Sequence, residues 1–185
     1  TSYQKNLIAI IDEAYIDFCE KTFNTIRLIE KYQNIIVLRS LTKIYGLAGL
    51  RVGYAVASSE IIKYMNKVKP PWNVNFLAQV AAIAALKDNA HIKKTLKTIQ
   101  EGKKFLLSTL AQFDFKIYPS DANFFLIDIS KTNYTSTQLQ KQLLKKGILI
   151  RDCNSFLGLN KNFIRISVRT KSENERLITA LKELF

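Results

Sequence analysis

The stretch Ile35–Tyr54, IIVLRSLTKIYGLAGLRVGY, constrains this chain more than any other. Its opening, Ile35, Ile36, Val37 and Leu38, is a β-branched apolar run that reads as a buried strand. The run ends at Arg39 and Ser40, and Lys43 follows in a short turn. Gly46, Gly49 and Gly53 punctuate the next apolar segment, and Arg51 stands at the head of a second strand-like run, Val52 to Ala57. A lysine just past a buried strand can condense with an aldehyde, while nearby hydroxyls and an arginine hold an anionic group beside it. On spacing alone, Lys43 reads better as a solvated loop lysine, which is what most lysines are.

The rest of the chain alternates strands and helices. Leu7–Ile11 is a continuous apolar run, as in a central parallel strand covered on both faces, and Asp12 closes it. Polar groups at the carboxyl ends of such strands line the ligand crevice of open α/β sheets. Helical spacing over Phe23–Tyr32 followed by the Ile35 strand predicts a right-handed parallel crossover. Ser58, Ser59 and Glu60 predict a capped helix through Val68, which Pro70 and Pro71 end. An alanine-rich helix is expected over Phe76–Leu86 and a long one over Asp88–Phe113, interrupted and kinked at Gly102. Strands are expected at 115–118, 123–129, 148–150 and 163–168. Ser136–Lys146 reads as a helix stopped by Gly147, and Ser172–Phe185 as a closing helix with Ser172 and Glu175 as its capping box. The domain boundary falls on the long helix, giving 1–100 and 101–185.

Composition narrows the function classes. The formal charge is +13, from 28 basic and 15 acidic residues. The lysines are scattered along helix faces, so they read as solvated surface that draws in anionic substrate rather than as a nucleic-acid patch. Two distant cysteines, Cys19 and Cys153, lack metal-ligand spacing and read as free thiols of a reducing, cytoplasmic compartment. A single histidine, His91, leaves no multi-histidine site. No apolar run reaches membrane-spanning length.

The string S-L-T-K-I-Y-G-L-A-G-L-R-V-G-Y, with Asp12-Glu13-Ala14-Tyr15 upstream, resembles the cofactor-lysine segment of fold-type-I pyridoxal-phosphate enzymes of the aspartate aminotransferase superfamily. The resemblance implies an α/β, three-layer transferase fold, here the C-terminal part of a large domain with a parallel sheet plus a small α+β domain. It also implies that a longer segment precedes Asp12 in a full-length enzyme. Lys43 would hold the cofactor and carry the proton. Asp12 would pair with the pyridine nitrogen, and Tyr15 would donate to the ring oxygen. Ser40, Thr42 and Arg51 would take the phosphate. Arg165, a charge inside the apolar strand F-I-R-I-S-V, would bind a substrate carboxylate, Arg151 would reach a distal phosphate or gate the site, and Asn123 would line the same pocket. The structural alternatives are a turn carboxylate at Asp12, a core aromatic at Tyr15, and salt bridges from Arg151 and Arg165 to a neighbour such as Asp152. A homodimer and a small, phosphorylated amino-acid substrate follow from the resemblance.

Within that superfamily the chain resembles the branch holding histidinol-phosphate aminotransferase and threonine-phosphate decarboxylase. Pro71-Trp72-Asn73-Val74-Asn75, Ile148–Phe156 and Ile164–Thr170, with Arg169, favour the decarboxylase, acting on L-threonine O-3-phosphate to give the aminopropanol phosphate of cobamides. Gly46-Leu47-Ala48-Gly49 suits the aminotransferase equally. A non-catalytic, aminotransferase-like ligand-binding fragment is the remaining alternative.

Overall fold

The structure, a computed structural model, describes residues 7–19 and 24–185. The chain divides into two compact units, Thr1–Lys93 and Lys94–Phe185.

The first unit is built on a three-stranded sheet, β1 (Ala9–Asp12), β2 (Ile35–Ser40) and β3 (Gly53–Ala57), in that order. β1 and β2 are parallel, with Asp12 opposite Leu38, as the strand–helix–strand reading requires. β3 runs antiparallel to β2, pairing Ser40 with Gly53. The connection over residues 41–52 is short enough for a reversal and holds no crossover helix. Gly53 is required where it sits, because a Cβ there would lie 2.6 Å from the Arg39 carbonyl.

The helix expected over 23–32 is shorter. A 3-10 turn, Thr25–Arg27, runs into a single-turn α1 (Leu28–Lys31), and Phe23 lies outside the described residues. Asn34 draws the chain into the sheet early: its carbonyl accepts from Ala9 at 2.9 Å and its amide donates to the Leu7 carbonyl at 2.7 Å. α2 (Ser59–Val68) is capped by Ser58 and stops before the two prolines. α3 (Phe76–Lys87) is capped by Asn75, whose side chain accepts from Ala78 N–H at 2.8 Å. α4 (Asn89–Leu110) contributes residues to both units.

The second unit carries a four-stranded sheet in the order β4 (Lys116–Ile117), β5 (Phe124–Asp128), β7 (Phe163–Ser167) and β6 (Arg151–Asp152). Every neighbouring pair is antiparallel. Alternation along β5 and β7 sends Phe125, Ile127, Ile164 and Ile166 into a core with Leu106, Leu110, Leu139, Leu143 and Leu181. α4 supplies Leu106 and Leu110, α5 (Ser136–Lys145) Leu139 and Leu143, and α6 (Lys171–Lys182) Leu181.

Three local expectations are corrected here. The strand placed at 148–150 is shifted to Arg151–Asp152, because Ile148 N–H instead closes α5 by donating to Leu143 O at 2.9 Å. Gly102 does not break α4. A Cβ there would meet Val168 Cγ1 at 2.6 Å and Asn174 Nδ2 at 3.0 Å, so the glycine lets the helix pack closely. The cap of α6 falls two residues earlier than expected: Glu173 accepts from Thr170 N–H at 3.2 Å and from its hydroxyl at 2.5 Å.

Candidate active site

Parallel pairing brings the carboxyl ends of β1 and β2 to the same edge of the first unit's sheet. Asp12 ends β1 and is exposed. One of its carboxylate oxygens accepts from Ala14 N–H at 2.9 Å, which turns the chain and carries Tyr15 up beside the strand end. Ser40 ends β2, and its hydroxyl lies 2.7 Å from that of Thr42. Lys43 follows in an exposed bend, its ammonium 5.1 Å from the centre of the Tyr15 ring. Sequence-distant candidates from two strands therefore share one edge.

The loop that presents Lys43 is held from below. Leu41 and Ile44 are buried on either side of it, at 3% and 2% exposure. Leu41 N–H donates to Val52 O at 3.2 Å, Gly46 N–H to Lys43 O at 3.0 Å, and a His91 ring nitrogen sits 3.1 Å from Ile44 O. Gly46, at φ +71°, supplies the left-handed turn. Arg51 is also left-handed, at φ 55°, and is the single non-glycine residue with positive φ among those described. Such strain concentrates where a side chain must be aimed for function. Its guanidinium is exposed and donates to Ala48 O at 3.0 Å. The sequence singled out Arg51 for its charge and gave no sign of this backbone conformation.

Two residues without an assigned role lie beneath the site. Glu13 is buried, at 6% exposure, and Arg39 Nε lies 2.7 Å from its Oε2, an ion pair rather than a linear hydrogen bond. Thr25 donates its hydroxyl to the other Glu13 oxygen, and Asp17 stands 3.6 Å from Arg39. Burial pushes the Asp17 carboxyl up from its ordinary pKa; Arg39 opposes this and Glu13 adds to it. Burial likewise raises the Tyr45 phenol, helped by the charges of Asp17 and Tyr54 and opposed by Arg39. The available signal was Arg39 directly after one apolar run and Glu13 one residue past the other, behind Asp12.

The second unit holds the other three candidates. Arg151 and Arg165 are register partners across β6 and β7 and so share one face of the sheet. Each guanidinium lies over an aromatic ring, Arg151 at 5.1 Å from Phe156 and Arg165 at 4.9 Å from Phe124. Among the described residues neither forms an ion pair. Asp152 is occupied instead by Ser136 Oγ at 2.7 Å, Thr137 Oγ1 at 2.6 Å and Asn154 N–H at 2.9 Å. Burial raises the Asp152 carboxyl, but these donors and Arg151 outweigh it and hold it below the usual range. Asn123 contributes its backbone, accepting from Val168 N–H at 2.8 Å.

The donor set in the first unit fits pyridoxal phosphate in kind. It has an amine for the aldehyde, a carboxylate for the pyridinium, and two adjacent hydroxyls with an arginine for the phosphate.

A model of the family "Aminotransferase class I and II" matches residues 1–181. Histidinol-phosphate aminotransferases of Methanosphaera stadtmanae and Moorella thermoacetica are 39% and 43% identical over 178 and 183 residues. These matches cover 96% and 97% of this chain but 48% and 46% of theirs, so the chain spans about half the length of the curated relatives it matches. The structure of the Clostridium acetobutylicum histidinol-phosphate aminotransferase aligns with TM-score 0.88 at 31% identity, over 96% of this chain and 54% of that one. The Sinorhizobium meliloti enzyme, solved in complex with pyridoxal-5'-phosphate, aligns with TM-score 0.86 at 27% identity, over 96% and 48%. L-threonine-O-3-phosphate decarboxylase of Porphyromonas gingivalis aligns with TM-score 0.84 at 29% identity, over 95% and 54%.

These relatives overturn the expectation of threonine-phosphate decarboxylation, since the curated relatives at 39% and 43% identity are histidinol-phosphate aminotransferases. Two residues within the stretches that favoured the decarboxylase have structural work instead. Arg169 pairs with Glu173 at 2.7 Å in the first turn of α6, and Asp152 ties the start of α5 to β6. The chain belongs to the aminotransferase class I and II family, whose cofactor is pyridoxal phosphate.

Proposed function

We propose that the complete protein is a pyridoxal-phosphate-dependent aminotransferase that takes the amino group of histidinol phosphate and passes it to 2-oxoglutarate. The observation that carries this reading is identity of 39–43% to histidinol-phosphate aminotransferases across nearly the whole chain. A homodimer is part of the same reading.

Pyridoxal phosphate, when bound, draws electron density from the substrate Cα and so makes its C–H bond acidic. The chain's own residues then have distinct duties. Lys43 Nζ anchors the cofactor and afterwards carries the proton to and from Cα. Asp12 keeps a proton on the pyridine nitrogen, and Tyr15 donates from beside the lysine. Ser40, Thr42 and Arg51 take the cofactor phosphate. Arg151 and Arg165 present two positive planar groups on one face, each backed by an aromatic ring. That arrangement suits an anion that alternates in identity. Histidinol phosphate brings a phosphate and no carboxylate, whereas glutamate brings carboxylates and no phosphate. A planar donor fork accepts both.

The test is direct. Full-length protein given histidinol phosphate and 2-oxoglutarate should release glutamate. Release of CO₂ from threonine phosphate, with no glutamate formed in the first assay, overturns the reading.

A further inference from the structure

The Glu13–Arg39 pair spans the two strands that carry the cofactor residues. β1 and β2 are paired with Asp12 opposite Leu38, and Glu13 N–H continues the ladder by donating to Leu38 O at 2.9 Å. In paired strands, residues opposite each other share a face and the next residue along faces away. Asp12 and Ser40 therefore belong to one face, and Glu13 and Arg39 to the other. Each catalytic-edge residue has a member of the ion pair as its immediate chain neighbour.

Three observations indicate that the pair has a specific task. It sits at the functional ends of the strands, although side-chain contact between them is elsewhere apolar, through Val37 and its neighbours, beside the backbone ladder. Both charges are largely withdrawn from water, with side chains 17% and 5% exposed for Arg39 and Glu13. A buried charge without its partner is strongly disfavoured, so each residue dictates where the other lies. The second Glu13 oxygen is fixed by Thr25, which also ties the segment leading to β2 into the same cluster. Apolar packing tolerates sliding by fractions of an ångström, whereas an ion pair with a third hydrogen-bonded partner defines direction as well as distance.

We propose that Glu13 and Arg39 are positioning residues: their ion pair sets the offset between the ends of β1 and β2, so that Asp12 and the Ser40–Lys43 turn meet a single pyridoxal phosphate in register. This rests on the aminotransferase reading above. Neither residue touches the cofactor, and both act through their chain neighbours. Glu13→Gln keeps the shape and an acceptor for Thr25 but removes the charge. Arg39→Lys keeps the charge but removes the planar fork, and Arg39→Met removes both.

The experiment uses full-length protein. Folded fraction comes from far-ultraviolet circular dichroism, pyridoxal-phosphate affinity from titration of the apoprotein, and cofactor orientation from its induced circular dichroism. Steady-state kinetics with histidinol phosphate complete the set. Glu13→Gln and Arg39→Met are expected to weaken cofactor affinity on the order of 10- to 100-fold, the usual cost of removing an outer-shell partner. They should also diminish the induced signal of the cofactor that does bind, while KM for histidinol phosphate stays within about twofold. Arg39→Lys should fall between these and wild type. Folded variants with wild-type affinity and wild-type induced signal overturn the proposal and leave the aminotransferase reading standing. A wild-type protein that takes up no pyridoxal phosphate removes both. Should Arg39→Met fail to fold, Glu13→Gln and Arg39→Lys decide the matter by the same two readouts.

Discussion

The two units bury their apolar residues in different ways. In the second unit both sheet and helices close on one continuous core, from Leu106 and Leu110 through Phe125, Ile127 and Ile164 to Leu181. Phe113, Phe115, Tyr134 and Phe185 add an aromatic cluster at its side, with ring centres 5.3–5.7 Å apart. The first unit has a small cluster of Leu41, Val52, Ala78 and Ala82 and leaves large apolar groups in the open. Trp72 is 93% exposed, Phe76 75%, Leu77 71% and Ile10 65%. The unit with the better-closed core carries Arg151 and Arg165 on one sheet face, while the unit that carries Lys43, Asp12, Ser40 and Thr42 keeps them at one end of its parallel strands. The larger buried core and the proposed cofactor residues thus lie in different halves of the chain.

The largest expected effect tests the chemical side of that contrast. Lys43→Ala in the full-length protein should lower kcat for glutamate formation by at least about a thousandfold, because the group that moves the proton is gone. The side chain is exposed, so the melting temperature of the apoprotein should stay near the wild-type value. A Lys43→Ala variant that retained activity would dissolve the division of labour.

The second effect tests the packed side. Ile127 is fully buried in the second unit's core, and Ile127→Ala should cost about 2–5 kcal/mol. Ile83 on α3 is 58% exposed, and Ile83→Ala should change stability by no more than about 0.5 kcal/mol. Chemical denaturation of the two variants measures the gap. Equal losses would mean that the exposed face of α3 is covered in the complete protein.

The sequence revealed the fold through its strongest local signals. The cap at Ser58 and the double proline bounded α2 to the residue, because both act within one turn of backbone. The apolar runs at Leu7–Ile11 and Ile35–Leu38 located a parallel pair of strands. Features decided by distant contacts were not legible. Gly102 looked like a helix breaker until Val168 and Asn174 were seen against it. The strand near Ile150 depended on which residue closed α5. The site was legible as a family string, yet the partnership of Glu13 with Arg39 and the left-handed backbone of Arg51 required three dimensions. Charge in a sequence gives no indication of which opposite charge will face it.

A third, smaller effect refines the frame around the lysine loop. Gly53→Ala places a methyl group against the Arg39 carbonyl, which is backbone and cannot rotate away. A shift of β3 from β2 is the remaining response, at a cost of about 1–3 kcal/mol. Hydrogen exchange should show faster opening in the first unit and unchanged protection in the core of the second. Uniform loss of protection in both would show that the two halves unfold together and that their separate cores are a matter of geometry alone.

The smallest effect concerns the second unit's one strongly shifted carboxylate. Hydrogen bonds from the Thr170 hydroxyl and from Arg169 hold Glu173 down to about 2, with the Thr170 N–H and the Arg169 charge adding to them and slight burial opposing. The folded state therefore binds this proton less readily than the unfolded chain. Its contribution is fully present above the ordinary Glu value and is lost as pH falls from there toward 2. The side chain is 45% exposed, and solvent screening limits the contribution to below about 1 kcal/mol. Wild type should accordingly exceed Glu173→Gln in melting temperature by a constant margin at neutral pH, and the margin should shrink below about pH 4.5. A margin that persisted unchanged to pH 2 would show that the charge is not its source and assign it to the hydrogen bonds, since glutamine has one acceptor oxygen where Glu173 uses two, one for Arg169 and one for Thr170.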